Sequence, residues 1–450
     1  MTDCNRQPLS FSSLGSKSVV ADFLGGRLTS DAGALLLREV GQKTGLFEAL
    51  DQAIPDPRHP VYIVHDQESM IAQRIIAIAL GYEDLNDHQT LRNDPALQVA
   101  AGRVPDDELA LASPPTLCRL ENRIERRTLV RIAGVFVDQF IASRAEPPEH
   151  LTLDFDATDD PIHGRQEERF FHGYYDNYCY LPLYVFCGDE LLTAYLRPSK
   201  IDASKHSRAL LKLLVQRLRQ AWPLVKLTIR ADSGFCRWRL MRWCDSHGIG
   251  YVLGLARNPV LERSAADWTG RADRQFRKTT QPQRIFGSFS YAASSWDRSR
   301  RVIAKAEHNA QGSNPRFIVV NVPGDPQELY EDVYCQRGNM ENRIKEQQLD
   351  LFADRTSCHR FLANQFRLFL SSAAYVLVQA LRRTALLDTD LEKAQVGTIR
   401  LKLLKVAAQV VVSARRVVFH LATSYPFQDL YRVVFERVLG TAVPRTAGVG

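Results

Sequence analysis

The 450-residue chain has no CxxC pair, and its eight cysteines, at 4, 118, 179, 187, 236, 244, 335 and 358, follow no Cys/His zinc spacing. A structural zinc site or a disulfide framework is therefore not expected, and reduced cytosolic thiols are. Long apolar runs are also missing. Val406 to Ala414, held between Lys405 and Arg415, falls far short of the roughly 18 to 20 residues that span a bilayer, and Met1 to Leu9 carries no signal-peptide pattern. The expectation is a soluble, non-secreted protein with no membrane partner. No internal repeat or low-complexity tract is present. Hydrophobic residues at 45% and charged residues at 24% are ordinary for a folded chain, which excludes wholesale disorder. The length predicts two or three domains.

Charge is unevenly placed. Residues 197–240 hold eleven Lys and Arg against two acids, and residues 355–450 hold fourteen against five, although the whole chain carries only +7. The remainder is net acidic. Two basic blocks on an acidic background suit a binder of phosphate backbones, because each neutralised phosphate releases counterions. A solvated helix face has the same composition.

From Leu28 to about Ala145 the apolar spacing is helical, with Thr29, Ser30 and Asp31 as cap candidates before Ala32 to Leu50 and Asp66 opening a run to Leu80. Residues 1–148 read as an N-terminal helical, DNA-binding domain. Within it, Ser113-Pro114-Pro115-Thr116 starts a helix displaying Arg119, Asn122 and Arg123. Such side chains bond base edges in a major groove, though a packing helix has the same composition. Glu146-Pro147-Pro148-Glu149 breaks the pattern. The period then changes to two: Leu151, Leu153 and Phe155 alternate with Thr152, Asp154 and Asp156, and an antiparallel pair is predicted around Gly188-Asp189. A helix over 204–221, a strand over 225–232, a helix over 238–247 and a strand over 251–256 complete a mixed sheet in an α/β domain, the first part of a core at 149–257. Residues 258–330 read as a β-rich insertion, 331–385 as helices that rejoin the core, and 386–450 as a basic C-terminal region with a hairpin and a last helix.

Three acids sit where such a scaffold presents side chains. Asp156 and Asp232 end strands, and Glu341 lies in the helical stretch Tyr334-Cys335-Gln336-Arg337-Gly338-Asn339-Met340-Glu341. Hard oxygen ligands from three elements can hold two Mg²⁺ ions about 3.5 to 4 Å apart for phosphodiester chemistry, so the three are expected to converge. Asp154 shares a strand face with Asp156 and is equally eligible by geometry. Tyr334 and Arg337, at −7 and −4 from Glu341, fall on its helical face. There Arg337 either forks onto a phosphate or simply pairs with Glu341. Trp268 and Trp296 are candidates for stacking on an unpaired base, and Asn364 and Arg367 for supporting Glu341.

Asp156-Ala157-Thr158, Arg230-Ala231-Asp232-Ser233-Gly234-Phe235 and Tyr-x-x-Arg-x-x-x-Glu from Tyr334 together resemble the three catalytic blocks of DDE transposases of bacterial insertion sequences, most nearly transposase DDE domain group one. The likeness runs from Leu28-Thr29-Ser30-Asp31 to Asn364-Gln365-Phe366-Arg367. It implies an RNase H-like core with an insertion before the glutamate, and cut-and-paste transposition using Mg²⁺, with Mn²⁺ as an alternative. The block Asp-x-Thr selects Asp156 over Asp154. Element ends and target DNA are the implied partners, a homodimer in the DNA complex is one option, and the implied location is a bacterial cytoplasm, on the nucleoid. The related enzymes carry Lys seven residues after the glutamate, where this chain has Gln348; Lys345, four residues after it, is the candidate to take over that phosphate contact. A DNA-binding relative that does not cut, and a nuclease without strand transfer, remain the alternative readings.

Overall fold

The computed structural model describes residues 8–105 and 109–440, so Cys4 and the first seven residues lie outside the described part. Two compact units divide the chain: one takes residues up to 47, 57–118 and from 380 onward, the other 48–56 and 119–379. The five consecutive segments read from the sequence are thus distributed over two units, and the N-terminal helices share theirs with the C-terminal region.

In the larger unit the core elements follow the order expected from the sequence. They are β1 (His150–Ala157), β2 (Leu183–Cys187), β3 (Glu190–Tyr195), α1 (Ser207–Ala221), β4 (Lys226–Ala231), α2 (Trp238–Ser246) and β5 (Gly250–Leu255). β1 pairs in parallel with β4, and β4 with β5; β2 and β3 add antiparallel on the other side. The resulting order β3-β2-β1-β4-β5 is the arrangement of an RNase H-like core. The helices α1 and α2 are crossovers, which parallel neighbours require.

Next come α3 (Pro259–Ser264), α4 (Ala266–Thr279), β6 (Gln283–Tyr291), β7 (Arg300–Asn309) and β8 (Arg316–Val320). The strands of 258–330 do not form a sheet of their own. β8 pairs antiparallel with β5, Leu253 opposite Val319, and the core sheet continues as β5-β8-β7-β6. The helix α4 escapes a period-two reading, although Trp268, Ala272 and Phe276 recur every four residues along it. The glutamate helix α5 (Gly338–Leu351) and the apolar α6 (Phe361–Leu381) follow.

Alternation in β1 decides which side of the sheet is which. Leu151, Leu153 and Phe155 join Leu227, Ile229 and Ala231 of β4 in the core beneath α1 and α2, which contribute Leu211, Leu214, Leu240 and Met241. Asp154 and Asp156 are left on the opposite face. The sheet's β3 edge is closed by a side chain: the Leu196 N–H donates to Gln365 Oε1 at 2.6 Å, and Gln365 Nε2 donates to the Ala194 carbonyl at 3.1 Å.

Phe361–Leu386 is long and apolar enough to cross a membrane, contrary to the expectation that no such run is present. In the fold 89% of its apolar window is buried, as in a core helix. In the smaller unit, helices Ala34–Thr44 and Gln67–Ala79 accompany a three-stranded sheet in which Leu28–Thr29 pairs with Ala408–Ser413, itself paired with Arg416–Leu421. Buried Asp31 there accepts hydrogen bonds from Lys405 Nζ (2.6 Å) and the Tyr82 hydroxyl (2.7 Å).

Candidate active site

Ala231 lies beside Phe155 in the parallel β4–β1 register, so Asp232, one residue on, lies beside Asp156 on strands about 4.8 Å apart. Beyond β4 the chain turns through Ser233–Phe235, and Asp232 caps that turn by accepting the Gly234 N–H at 2.9 Å. Glu341 occupies the first turn of α5. The approach to it is not a regular α-helix: a π-helical stretch, Leu329–Tyr334, and a 3-10 turn, Cys335–Arg337, precede α5. The single α-helix expected for Tyr334, Arg337 and Glu341 is therefore replaced by mixed turns, yet Arg337 still links the three, bonding Glu341 at i+4 and the Tyr334 side chain.

Arg337 ties the acids together. Its Nη1 donates to Asp156 Oδ2 at 3.1 Å and its Nη2 to Glu341 Oε1 at 2.6 Å. Asp156 has its pKa pushed up to about 7, chiefly by burial; Arg337 opposes the rise, and the charges of Asp232 and Glu341 add to it. Asp156 thus senses both of the other acids. Asp154 is placed differently. Its two oxygens take a bidentate fork from Arg230, at 2.5 and 2.7 Å, while Arg230 Nη1 donates to the Val333 carbonyl just before Tyr334. Arg230 therefore holds Asp154 and the start of the glutamate segment in one brace. The sequence signal was a lone arginine in an apolar strand two residues before Asp232.

Gly254 of β5 makes room for Tyr334. A Cβ at that glycine would stand 2.6 Å from the Tyr334 hydroxyl and 2.7 Å from the Ser233 backbone nitrogen. Burial raises the Tyr334 pKa, Arg337 opposes that, and Asp232 reinforces it, which puts the phenol within the same field. Among the described residues no group of three or more His, Cys, Asp or Glu side chains is gathered tightly enough to hold an ion as placed. The chemistry of the donor set nevertheless fits a hard divalent cation, since all three donors are carboxylates and a guanidinium already stands between two of them.

The family model for transposase DDE domain group 1 matches residues 11–442. The chain belongs to that transposase family. No curated protein sequence matches it. Among solved structures it is similar to a piggyBac transposase synaptic complex with hairpin DNA, determined by cryo-EM. That likeness is at 11% identity and a TM-score of 0.43, covering 94% of this chain and 88% of that one.

Other residues singled out in the transposase sequence are placed variously. Lys345 is exposed on α5, one turn beyond Glu341. Gln348 is not a phosphate-facing substitute for lysine: its Nε2 donates to the Asp159 carbonyl and to Asp160 Oδ1, both at 3.1 Å. Asp160 is fully buried, and burial drives its pKa well above the carboxylate range. Arg123 pairs with Asp56 at 3.0 Å, which is the packing alternative, whereas Arg119 is exposed.

Trp268 and Trp296 serve packing. Trp268 lies flat over Gly287, where a Cβ would come within 2.1 Å, and stacks with Phe289; Trp296 packs edge-on against Tyr291. Asn364 does not support Glu341. It accepts the Cys358 N–H at 2.9 Å and donates to the Cys358 carbonyl at 2.7 Å, and Arg367 donates to Ser357 at 2.8 Å, so both hold the segment before α6. The first basic block is partly structural as well. Arg197 is fully buried and donates to the carbonyls of Leu181, Ala203 and Lys205, and Arg217 pairs with Asp138.

Proposed function

We propose that this transposase binds the ends of an insertion element in double-stranded DNA, cuts there with divalent metal, and joins the freed 3′ end to target DNA. The observation that carries the reading is the Arg337 fork joining Asp156 to Glu341 beside Asp232. Asp156, Asp232 and Glu341 would hold Mg²⁺ or Mn²⁺; when bound, such ions activate the attacking oxygen and steady the leaving one. The chain's own groups supply position. The Arg230–Asp154 brace keeps β1, β4 and the glutamate segment in register, and Gly234 orients Asp232. Arg337 offers a fork that matches phosphate oxygens as well as carboxylates, with the Tyr334 hydroxyl beside it. Lys345 supplies a further exposed cation for the backbone, and Arg119 a directed donor for base edges. The working location in this reading is the bacterial nucleoid, with a homodimer on the DNA.

The test uses the full chain with duplex carrying the element's own ends and Mg²⁺. Asp232→Asn removes a ligand charge and leaves the basic surface unchanged, so cleavage should vanish while end binding persists. Cutting by Asp232→Asn at the wild-type rate would remove the second acid from the site. Wild-type cleavage without joined products would mark a nuclease, and binding without cleavage a silent relative.

A further inference from the structure

Gln348 follows Glu341 by two turns of α5, so the two side chains leave the helix within about 20° of one another. Whatever fixes the direction of Gln348 therefore fixes the direction of Glu341. Apolar packing does this poorly. The buried Met340, Ile344 and Leu351 hold α5 down by contacts that have no direction, and the turns leading into it are irregular. Arg343 reaches Asp189 in the turn between β2 and β3, but Asp189 is more than half exposed and solvent weakens that pair.

Gln348 is anchored at its far end. Its Nε2 donates to the Asp159 carbonyl and to Asp160 Oδ1, both at 3.1 Å, and these acceptors lie in a stretch fastened to the fold just beyond Asp156. The Thr158 N–H donates to the Pro182 carbonyl at 3.3 Å, Asn177 Nδ2 donates to the Asp159 carboxylate at 3.2 Å, and Asp160 stands opposite Tyr180 in a short antiparallel pairing. Tyr184, directly opposite Asp156 on β2, is buried as completely as Asp160 and stands within its field. One amide thus joins the glutamate helix to the chain four residues past Asp156. The Arg337 fork makes a similar connection, but a phosphate competes for that fork. No phosphate reaches a bond made to the fully buried Asp160.

We propose that Gln348 is a positioning residue, latching α5 to the Asp159–Asp160 stretch and so holding Glu341 at its working distance from Asp156 when Arg337 turns to DNA. The proposal rests on the reading of those two acids as metal ligands. It gives position 348 a role in geometry and none on the phosphate backbone.

Gln348→Met in the full chain tests it, because methionine keeps the length of the side chain and loses both bonds. Without DNA or metal, amide exchange over residues 338–351 should rise severalfold while β4 and α6 exchange as in the wild type. With end duplex, the Mn²⁺ concentration for half-maximal cleavage should rise by on the order of tenfold, whereas end affinity and the rate at saturating Mn²⁺ stay near wild type. A general loss of stability would not split metal dependence from rate in this way. Gln348→Lys offers an ammonium to the same two acceptors and should return both readouts to wild type, and Asp160→Asn, which keeps a carbonyl oxygen for the Gln348 amide, should match wild type as well. A methionine variant with wild-type exchange over α5, or with wild-type Mn²⁺ dependence, overturns the proposal. So does a lysine variant that steepens the salt slope of end binding by about 1, which would place this side chain on the backbone. A wild type that does not cut refutes the catalytic reading instead, and the exchange measurement, made without DNA or metal, still decides the latch.

Discussion

Asp154 and Asp156 are one strand repeat apart on the same face, yet their surroundings ask opposite things of them. Asp154 is one half of a buried ion pair, so Asp154→Asn strands the Arg230 charge and should destabilise the fold by about 3 to 5 kcal/mol. Asp156 is buried against two other acids with a shared arginine. Its folded pKa of about 7 lies above that of an unfolded carboxylate near 4, so across this window the folded chain keeps a proton that the unfolded chain has lost. Stability in chelator should therefore fall as pH rises from about 4 to 7 and stay low above. Asp156→Asn should flatten that slope to what the other raised carboxyls, Asp160 among them, contribute and, at pH 8 without metal, be more stable than wild type by on the order of a few kcal/mol. Urea melts of both variants at pH 5 and pH 8 separate the two aspartates. Parallel slopes for wild type and Asp156→Asn would show that this carboxyl is not the one strained by its neighbours.

At the scale of elements, the site depends on how closely β5 lets the glutamate segment approach. Gly254→Ala places a methyl against the Tyr334 hydroxyl and against backbone at Ser233, which cannot rotate away. The turn that carries Asp232 should shift, and cleavage should drop by tenfold or more while end binding stays near wild type. Measuring both on the same preparation distinguishes this from misfolding, which would remove them together. The strands and crossover helices around the site were legible because alternation in β1 and β4 is clean and each helix has an apolar stripe. The break in the glutamate segment was not, because Leu329 to Glu341 has no proline and its only glycine, Gly338, sits at the start of α5. Helical spacing alone therefore carried one α register across the π and 3-10 turns of Leu329–Arg337.

For the whole molecule, net charge was readable and its use was not. The block at 197–240 contains exposed Lys212 alongside Arg197, whose guanidinium is spent on three carbonyls inside the fold, and Arg230, spent on Asp154. A count of cations weighs these alike, since composition does not record burial. Lys212→Ala should lower the slope of DNA affinity against salt by about 1 without altering the melt. Arg197→Ala should instead lower the melting temperature, because the buried Leu181 carbonyl loses its donor at about 1 to 3 kcal/mol and the partly buried carbonyls of Ala203 and Lys205 lose theirs as well. A salt titration and a thermal melt on the two variants read out the difference. Trp268 and Trp296 follow the same logic: aromatic residues in a polar stretch suggested a ligand, and the close approach of Gly287 to Trp268 shows the ring to be covered by its own sheet.

The smaller unit draws on both ends of the chain: Leu28–Thr29 pairs with Ala408–Ser413, and Asp31 receives Lys405. During synthesis its first half therefore leaves the ribosome long before its second. At about 5 to 20 residues per second, the stretch between residues 118 and 380 delays completion by on the order of tens of seconds. Throughout that interval the nascent chain carries an uncompensated Asp31 and an unpaired strand. A product cut short before residue 400 would keep Asp156, Asp232 and Glu341 but never finish the smaller unit, so premature termination would yield a chain with its acids in place and one of its two units incomplete.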